Sequence, residues 1–130
     1  PGGKNFVHIQ DVCRGIVNAI GKGKTGDCYL LAGQNLSYRE FFRMVDRAQH
    51  RKTLLIPIPP LFLKIAGIAG SALARLTGRS PKLNYTSAYL LCLQNYYTGR
   101  KSERDLQLQY TRIETAVHEA FRWYRENAYF

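Results

Sequence analysis

The sequence predicts a single α/β domain, mainly helical with about three short strands, and three observations lead to that fold class. The chain has 130 residues, the size of one domain, and its 45% of hydrophobic residues is ordinary for a globular protein. Several segments repeat apolar residues at helical spacing between start and stop signals. Three short apolar runs, at residues 6–9, 27–32 and 53–60, are the strand candidates. We expect these three strands not to form a good sheet among themselves.

The first elements are a short strand at residues 6–9 and a helix that follows it. Asp11 stands where an N-cap belongs. The helix is expected to end near residue 20, because glycines follow it. Its helical spacing is carried by the apolar residues Val12, Ile16, Val17, Ala19 and Ile20.

The second strand, residues 27–32, is continuously apolar, as expected for a strand buried on both faces of a parallel sheet. The next helix has a clear start, because Ser37 and Glu40 have capping-box spacing. Its inner face is predicted to be Phe41, Phe42, Val45 and Ala48. Residues 53–60 then form a strand that their prolines confine to an edge or a strand end.

Residues 61–76 are nearly all apolar, with Lys64 and Arg75 as their only charges. Gly78 and Pro81 mark the end of this helix. It is shorter than the roughly 20 residues of a bilayer span, so we expect core packing or a lid over an apolar pocket. Interfacial membrane contact is the alternative.

Two more helices complete the prediction. Residues 84–93 form the first of them. The last helix is expected to start at a second capping box, Thr111 and Glu114. Its apolar stripe is Ile113, Val117, Ala120, Phe121 and Tyr124.

Charge and cysteine content limit the class of protein. Lys and Arg number 19 against 9 Asp and Glu, a formal net charge of +10. The bases are spread along the chain with small clusters at 47–52 and 100–104, which favours a solvated surface over a nucleic-acid site. Three widely spaced cysteines predict buried thiols in a cytoplasmic protein, not disulfides. The three histidines lack metal-ligand spacing, so no metal site is expected.

Two short motifs invite catalytic interpretations that their context does not favour. Residues 21–25, Gly-Lys-Gly-Lys-Thr, resemble a phosphate-binding loop, but a predicted helix precedes them and a strand follows. Tyr97 and Lys101 have the Y-x-x-x-K spacing of a tyrosine acid or base and its lysine. No glycine-rich dinucleotide fingerprint precedes them, and only 29 residues follow.

The order of several segments resembles the late part of extended short-chain dehydrogenases, the NAD(P)-dependent epimerase/dehydratase family. Residues 5–15 resemble that family's F-V-H-V-x-D-V-A-x-G stretch. Residues 29–33 are similar to its last nucleotide-domain strand and 36–40 to the helix start after it. Residues 96–106 are similar to the Y-x-S-x-K-A-x-R-x-L-G segment, and 111–124 to the closing helix. The resemblance covers essentially the whole chain.

This resemblance implies that residues 1–130 are one C-terminal, substrate-binding domain of a Rossmann-type enzyme. It includes one late strand, about 27–33, of the nucleotide-binding sheet. The N-terminal part, with the cofactor site and the catalytic tyrosine and lysine, is expected to be absent. The parent would be an oxidoreductase or epimerase that transfers hydride through NAD or NADP. This chain alone would bind no cofactor and be catalytically incompetent.

The resemblance is greatest to dihydroflavonol-4-reductase-like and hopanoid-associated sugar epimerase-like proteins. Relatives that bind nucleotide sugars place an arginine near the strand at 56–60, and this chain has none there. That favours an apolar or uncharged substrate. The candidate substrate-binding residues are His8, Ile56, Pro57, Ile58, Tyr85, Tyr89 and Tyr96.

The expected partners are the missing nucleotide-binding domain and a small-molecule substrate. A fragment whose strand lacks its neighbours is also expected to self-associate or to expose apolar surface. The rival hypothesis is a stand-alone basic module that binds nucleic acid or an anionic membrane surface. A structural oligomerisation domain is a third possibility.

Overall fold

The computed structural model describes residues 2–78 and 83–128, and in those ranges the chain is a small α/β domain, mainly helical with three strands. The elements follow in the order β1 (Gly3–Phe6), α1 (Ile9–Lys22), β2 (Gln34–Ser37), α2 (Tyr38–Ala48), α3 (Pro60–Thr77), α4 (Tyr85–Cys92), β3 (Gln94–Asn95), α5 (Arg100–Leu106) and α6 (Ile113–Glu126). The fold class agrees with the prediction, although the strands are not the predicted ones.

The three strands form one sheet in the order β2-β1-β3. Only β1 overlaps a predicted strand, so the sheet does not consist of the three segments that were expected to pair poorly. β1 runs antiparallel to β2, with Gly3 opposite Ser37, and parallel to β3. The predicted first strand is displaced by three residues. β2 and β3 were not predicted because their side chains are largely polar. Their pairing depends on backbone groups and on contacts such as the 2.7 Å bond from Asn5 Nδ2 to Asn35 Oδ1.

The main core lies between the sheet, α2 and α6. Its buried members are Leu36, Ala48, Ile113 and Val117, and partly buried aromatic and aliphatic side chains pack around them. Phe6 from β1 stacks on Phe41 from α2, with ring centroids 4.3 Å apart. The predicted inner face of α2 is therefore confirmed at Phe41, Val45 and Ala48, but Phe42 is exposed. The predicted face of α6 is confirmed at Ile113, Val117 and Phe121.

The apolar side of α1 faces outward. Its exposed residues fall within a narrow arc and form the α1 apolar stripe: Ile9, Ile16, Val17 and Ile20. The opposite side of the helix is buried through Asp11 and Gly15. On that side Asn18 Nδ2 donates to the Leu106 carbonyl at 2.8 Å. α1 therefore buries polar groups and exposes its apolar ones, the reverse of an ordinary amphipathic helix.

Residues 27–33 do not form a strand, which corrects the sequence prediction. Side chains from other parts of the chain instead form hydrogen bonds with the backbone of residues 28, 30 and 32. Lys101 Nζ donates to the Cys28 carbonyl at 3.1 Å and Ser102 Oγ donates to the Leu30 carbonyl at 2.8 Å. The Ala32 N–H donates to the Tyr110 hydroxyl at 3.2 Å. A strand needs a neighbouring strand, and β1, β2 and β3 pair with one another rather than with this segment.

The strand predicted at 53–60 is also wrong. Residues 51–59 are an irregular segment with exposed apolar side chains, and α3 begins at Pro60. Proline at 57, 59 and 60 removes backbone donors that a strand would need. α3 packs against α4, and it is mostly exposed, so the expected core packing of this helix is wrong as well.

Helix termini were predicted with mixed success. The Ser37–Glu40 capping box is present, and Gly78 ends α3 in the left-handed region with φ of 66°. Pro81 lies outside the described residues. Asp11 is not the N-cap of α1, because His8 takes that position and Asp11 lies buried in the first turn. The second capping box is absent, since Arg112 caps α6 without a side-chain bond and Thr111 binds Asp11 instead.

The cysteines are free thiols, but their predicted burial is wrong. Cys13 and Cys28 are exposed, and Cys92 is half-buried. Cys13 lies on the outward side of α1, and Cys28 lies in the segment that lacks strand neighbours. Their exposure therefore follows from the same two features that leave apolar residues uncovered.

Candidate functional site

A groove of about 440 Å³ lies between the start of α1 and the outer side of α6. Its walls combine apolar and aromatic side chains with polar and charged ones. The lining residues are Val7, His8, Ile9, Gln10, Ala116, Glu119, Ala120, Arg122, Trp123, Tyr124 and Glu126. An apolar cleft with a few convergent polar groups is the usual form of a small-molecule site.

His8 is the polar centre of the groove, and its ring is fixed by two hydrogen bonds. Nδ1 accepts from the Gln10 backbone N–H at 3.1 Å, so the imidazole caps α1. Nε2 lies 3.0 Å from Glu119 Oε2. Because Nδ1 is an acceptor, the neutral ring carries its proton on Nε2 and donates to Glu119. His8 is 5% exposed, whereas the Glu119 side chain reaches the surface.

A second buried polar group, Asp11, lies in the first turn of α1, three residues after His8. Its carboxylate accepts from the Thr111 backbone N–H at 2.7 Å and from the Thr111 hydroxyl at 2.9 Å, and it pairs with Arg14. Burial acts to raise the pKa of Asp11, but these hydrogen bonds and the Arg14 charge together hold that pKa below its ordinary value. The ionised carboxylate of Asp11 therefore connects α1 to Thr111, which lies just before α6.

This arrangement suits binding and orientation. The aromatic side chains Trp123 and Tyr124 and the aliphatic Val7 and Ile9 offer apolar contact along the groove. Glu119 can bind one polar group of a bound molecule, and His8, whose two ring nitrogens are both bonded, holds Glu119 in place. The groove thus suits a ligand with an apolar body and polar groups.

The structure distributes the other predicted site residues over separate places. Ile56, Pro57 and Ile58 lie in the exposed segment before α3. Tyr85 and Tyr89 stack with ring centroids 6.3 Å apart on α4. The structure therefore brings these two tyrosines together, whereas His8 belongs to the groove beside α6.

Tyr96 lies against the start of β1. A Cβ at Gly3 would stand 2.5 Å from the Tyr96 hydroxyl, so glycine at that position leaves room for the ring. Tyr96 therefore has a packing role at the sheet, and its predicted part in substrate binding stays a prediction.

The residue that sequence reasoning missed is Glu119, the partner of His8. The two are 111 positions apart, and no local pattern joins them. Trp123 and Tyr124 were also missed as groove residues. Their signal was available, since Trp123 is adjacent to Tyr124 of the apolar stripe and two adjacent side chains of a helix cannot both face its core.

The Gly-Lys-Gly-Lys-Thr run and the Tyr97–Lys101 spacing both have structural roles. The Gly-Lys-Gly-Lys-Thr run begins in the last turn of α1, and the Gly23 N–H donates to the Ala19 carbonyl. Lys101 on α5 binds the Cys28 carbonyl and lies 3.2 Å from Asp27. Tyr97 precedes α5, and its N–H donates to Asn35. Within residues 2–78 and 83–128, no cluster of three His, Cys, Asp or Glu side chains could hold a metal ion.

No family model matches the chain. It is 27% identical over 128 residues to "Sterol demethylase protein B" of Methylococcus capsulatus, which covers 97% of this chain and 39% of that relative. A solved structure described as "Crystal structure of gox2253" superposes with a TM-score of 0.77 and 25% identity, over 98% of this chain and 39% of that one. The chain therefore spans about two fifths of the length of both of these proteins.

Proposed function

We propose that this chain is the substrate-binding part of a larger NAD(P)-dependent oxidoreductase or epimerase of the extended short-chain dehydrogenase type. The parent would transfer hydride to or from an apolar or uncharged substrate. The observation that carries the proposal is the reversed polarity of α1, which exposes the α1 apolar stripe with Ile20 85% exposed. Such a helix is expected to be covered by another domain of the same protein.

The 27–33 segment supports the same interpretation. Its backbone is bound at residues 28, 30 and 32, which share one edge of an extended chain. The backbone groups of Tyr29 and Leu31 then belong to the other edge, where a strand of the remaining enzyme could pair. Leu30 is half exposed, and Leu31 packs where a Cβ at Gly15 would stand. We therefore propose that the nucleotide-binding part docks on the α1 apolar stripe and on this edge.

The substrate class is proposed from the groove and from the relative. The groove at His8 offers apolar and aromatic side chains beside the polar and charged ones of Gln10, Glu119, Arg122 and Glu126, and residues 56–60 carry no arginine for a diphosphate. The relative's name refers to a sterol, a large apolar molecule with one polar end. These points support a sterol-like substrate whose polar end binds Glu119, which His8 holds in place.

NAD or NADP is proposed for the parent and is not assigned to residues of this chain. Phosphates bind at backbone N–H groups that open a helix, whereas the glycines at 21 and 23 stand at the end of one. Lys101 is engaged with residues 27 and 28. The residues of this chain thus do not fit a dinucleotide cradle, and no chemical step is routed through them.

The coding sequence immediately upstream of Pro1 gives the first test. A glycine-rich strand-turn-helix fingerprint followed by a Y-x-x-x-K motif is the expected result. The protein that includes those residues should oxidise NADH or NADPH when given an apolar ketone. A start codon directly before Pro1, or turnover of nucleotide sugars alone, would overturn the proposal.

Docking can be tested with two matched variants. Ile20→Glu places a charge on the α1 apolar stripe and should weaken association with a separately produced nucleotide-binding part at least tenfold. Ile68→Glu makes the same substitution at an exposed isoleucine of α3 and should leave that association unchanged. Equal effects of both variants would remove α1 as the docking surface.

A further inference from the structure

We propose that the α3–α4 hairpin is an interfacial anchor that binds the surface of an anionic lipid bilayer. The inference is independent of the docking surface on α1, because it concerns another side of the molecule and a different class of partner. It rests on the exposure of α3, on the position of its charges and on the distribution of acidic residues in the sequence.

The first observation is an exposed apolar surface on α3. The large exposed side chains of α3 form the α3 apolar face: Leu61, Phe62, Ile65, Ile68, Leu73 and Leu76. At 100° per residue they fall within an arc of about 140°. The opposite side of α3 contacts α4, where Gly67 is buried and a Cβ would stand 2.8 Å from Ala88 Cβ. Packing against α4 therefore turns the bulky apolar residues outward.

The second observation is where the two charges of α3 lie. Lys64 and Arg75 are eleven positions apart and border the same edge of the α3 apolar face. By length and composition alone α3 could cross a membrane, and only 6% of its residues are buried. However, the stretch between the two charges is only about 16 Å long, about half of the roughly 30 Å hydrocarbon thickness. Both cations lie along one border of the α3 apolar face. This arrangement favours a helix that lies parallel to the membrane surface, with Lys64 and Arg75 reaching the lipid headgroups.

The third observation identifies the charge of the surface that would be bound. The bases are spread along the chain, but the acids are not. Residues 51–92 contain six Lys and Arg and no Asp or Glu, so this segment is basic throughout. It includes α3, α4 and the exposed residues Leu54, Ile56 and Ile58. An apolar face within an acid-free, basic segment is complementary to anionic lipid headgroups.

The test is flotation of the 130-residue chain with vesicles of phosphatidylcholine alone and with 30% phosphatidylserine. Binding is expected to the anionic vesicles at low salt, with a loss of at least tenfold for Ile68→Glu. Ile20→Glu is the matched control, since it changes the charge equally on another exposed isoleucine. The double variant Lys64→Gln/Arg75→Gln should bind the anionic vesicles about 30-fold more weakly. The control Lys4→Gln/Lys24→Gln removes the same number of charges elsewhere and should weaken vesicle binding less.

Several outcomes would overturn the proposal. One is no flotation with the anionic vesicles, and another is equal loss for Ile68→Glu and Ile20→Glu. If a DNA duplex displaces the chain and Ile68→Glu has no effect, charge alone governs binding and the lipid anchor is wrong. Self-association that Ile68→Glu abolishes, without vesicle binding, would make the face a protein interface. Circular dichroism of each variant confirms that loss of binding is not loss of fold.

Discussion

At the scale of single residues, the groove depends on polar side chains that hold helix ends. His8 is both the cap of α1 and the partner of Glu119, so one imidazole fixes the helix start and faces the groove. Asp11, one turn later, joins α1 to Thr111. These two side chains position the groove walls without taking part in the hydrophobic core.

The cap predicts a difference between two variants of His8. His8→Ala removes the acceptor for the Gln10 N–H and should lower the free energy of unfolding by about 1 kcal/mol. His8→Asn restores a side-chain oxygen at the N-cap and should recover most of that loss. Both variants lose the hydrogen bond to Glu119, so urea unfolding of the two variants separates the effect of the cap from the effect of that bond. Equal stability of the two variants would show that the cap contributes nothing.

Asp11 predicts a dependence of stability on pH. Its folded-state pKa is lowered, so its contribution is fully present above the unfolded-state pKa of about 3.9 and is lost as the pH falls through the folded value. Asp11→Asn should cost about 2 kcal/mol at pH 7, because the amide cannot accept every bond from Thr111. The difference from wild type should shrink below pH 4 in urea titrations. Glu103→Gln, at an exposed carboxylate, should show no such trend.

At the scale of elements, the structure contains close helix contacts that glycine allows. Gly67 lets α3 approach α4, whereas Gly21 in the last turn of α1 has open space around its Cα. The two glycines therefore make a matched pair in which the same substitution meets opposite surroundings.

Gly67→Ala is expected to destabilise the hairpin by about 1–3 kcal/mol, because the new methyl group would overlap Ala88 and the backbone at Tyr85. Gly21→Ala is expected to stabilise α1 by up to about 1 kcal/mol through helix propensity. Hydrogen exchange should show faster exchange in α4 for the first variant and slower exchange at the end of α1 for the second. Protection of α4 that is unchanged in Gly67→Ala would contradict the close packing.

The same scale shows what the sequence could predict. Helices were found where a local signal is strong, as at the Ser37–Glu40 capping box and at Gly78. Strands were missed because their partners are distant in sequence: β1 pairs with β2 about thirty residues later and with β3 about ninety. The segment 27–33 has strand composition without a strand partner, so composition alone gave the wrong result.

The candidate site was predictable to a smaller degree. His8 was identified, but its function as a cap was assigned to Asp11, since aspartate is the commoner capping residue. Glu119 could not be found, because its contact with His8 joins distant segments. The tyrosine pair on α4 follows from helical spacing, whereas its separation from the groove required the three-dimensional arrangement.

At the scale of the whole molecule, apolar side chains are exposed on both α1 and α3. We propose a nucleotide-binding domain as the partner of α1 and a lipid bilayer as the partner of α3. The α1 apolar stripe and the α3 apolar face together leave ten large apolar side chains exposed. The chain alone should therefore bind an apolar dye such as ANS strongly and scatter light as a concentration-dependent oligomer. A monodisperse monomer that does not bind the dye would contradict this expectation. Ile20→Glu should reduce the association by removing one apolar contact.

The bond between Asp11 and Thr111 has a consequence for synthesis of the protein. It closes a loop of about one hundred residues, so the carboxylate of Asp11 lacks the Thr111 donors until residue 111 has left the ribosome, whereas its other partner, Arg14, is close in sequence. Folding through such distant contacts is slow compared with formation of a local helix pair. On a growing chain, the α3–α4 hairpin can therefore form before α1 is joined to residue 111. Within residues 11–111, the local hairpin would then fold before the contact that closes the loop.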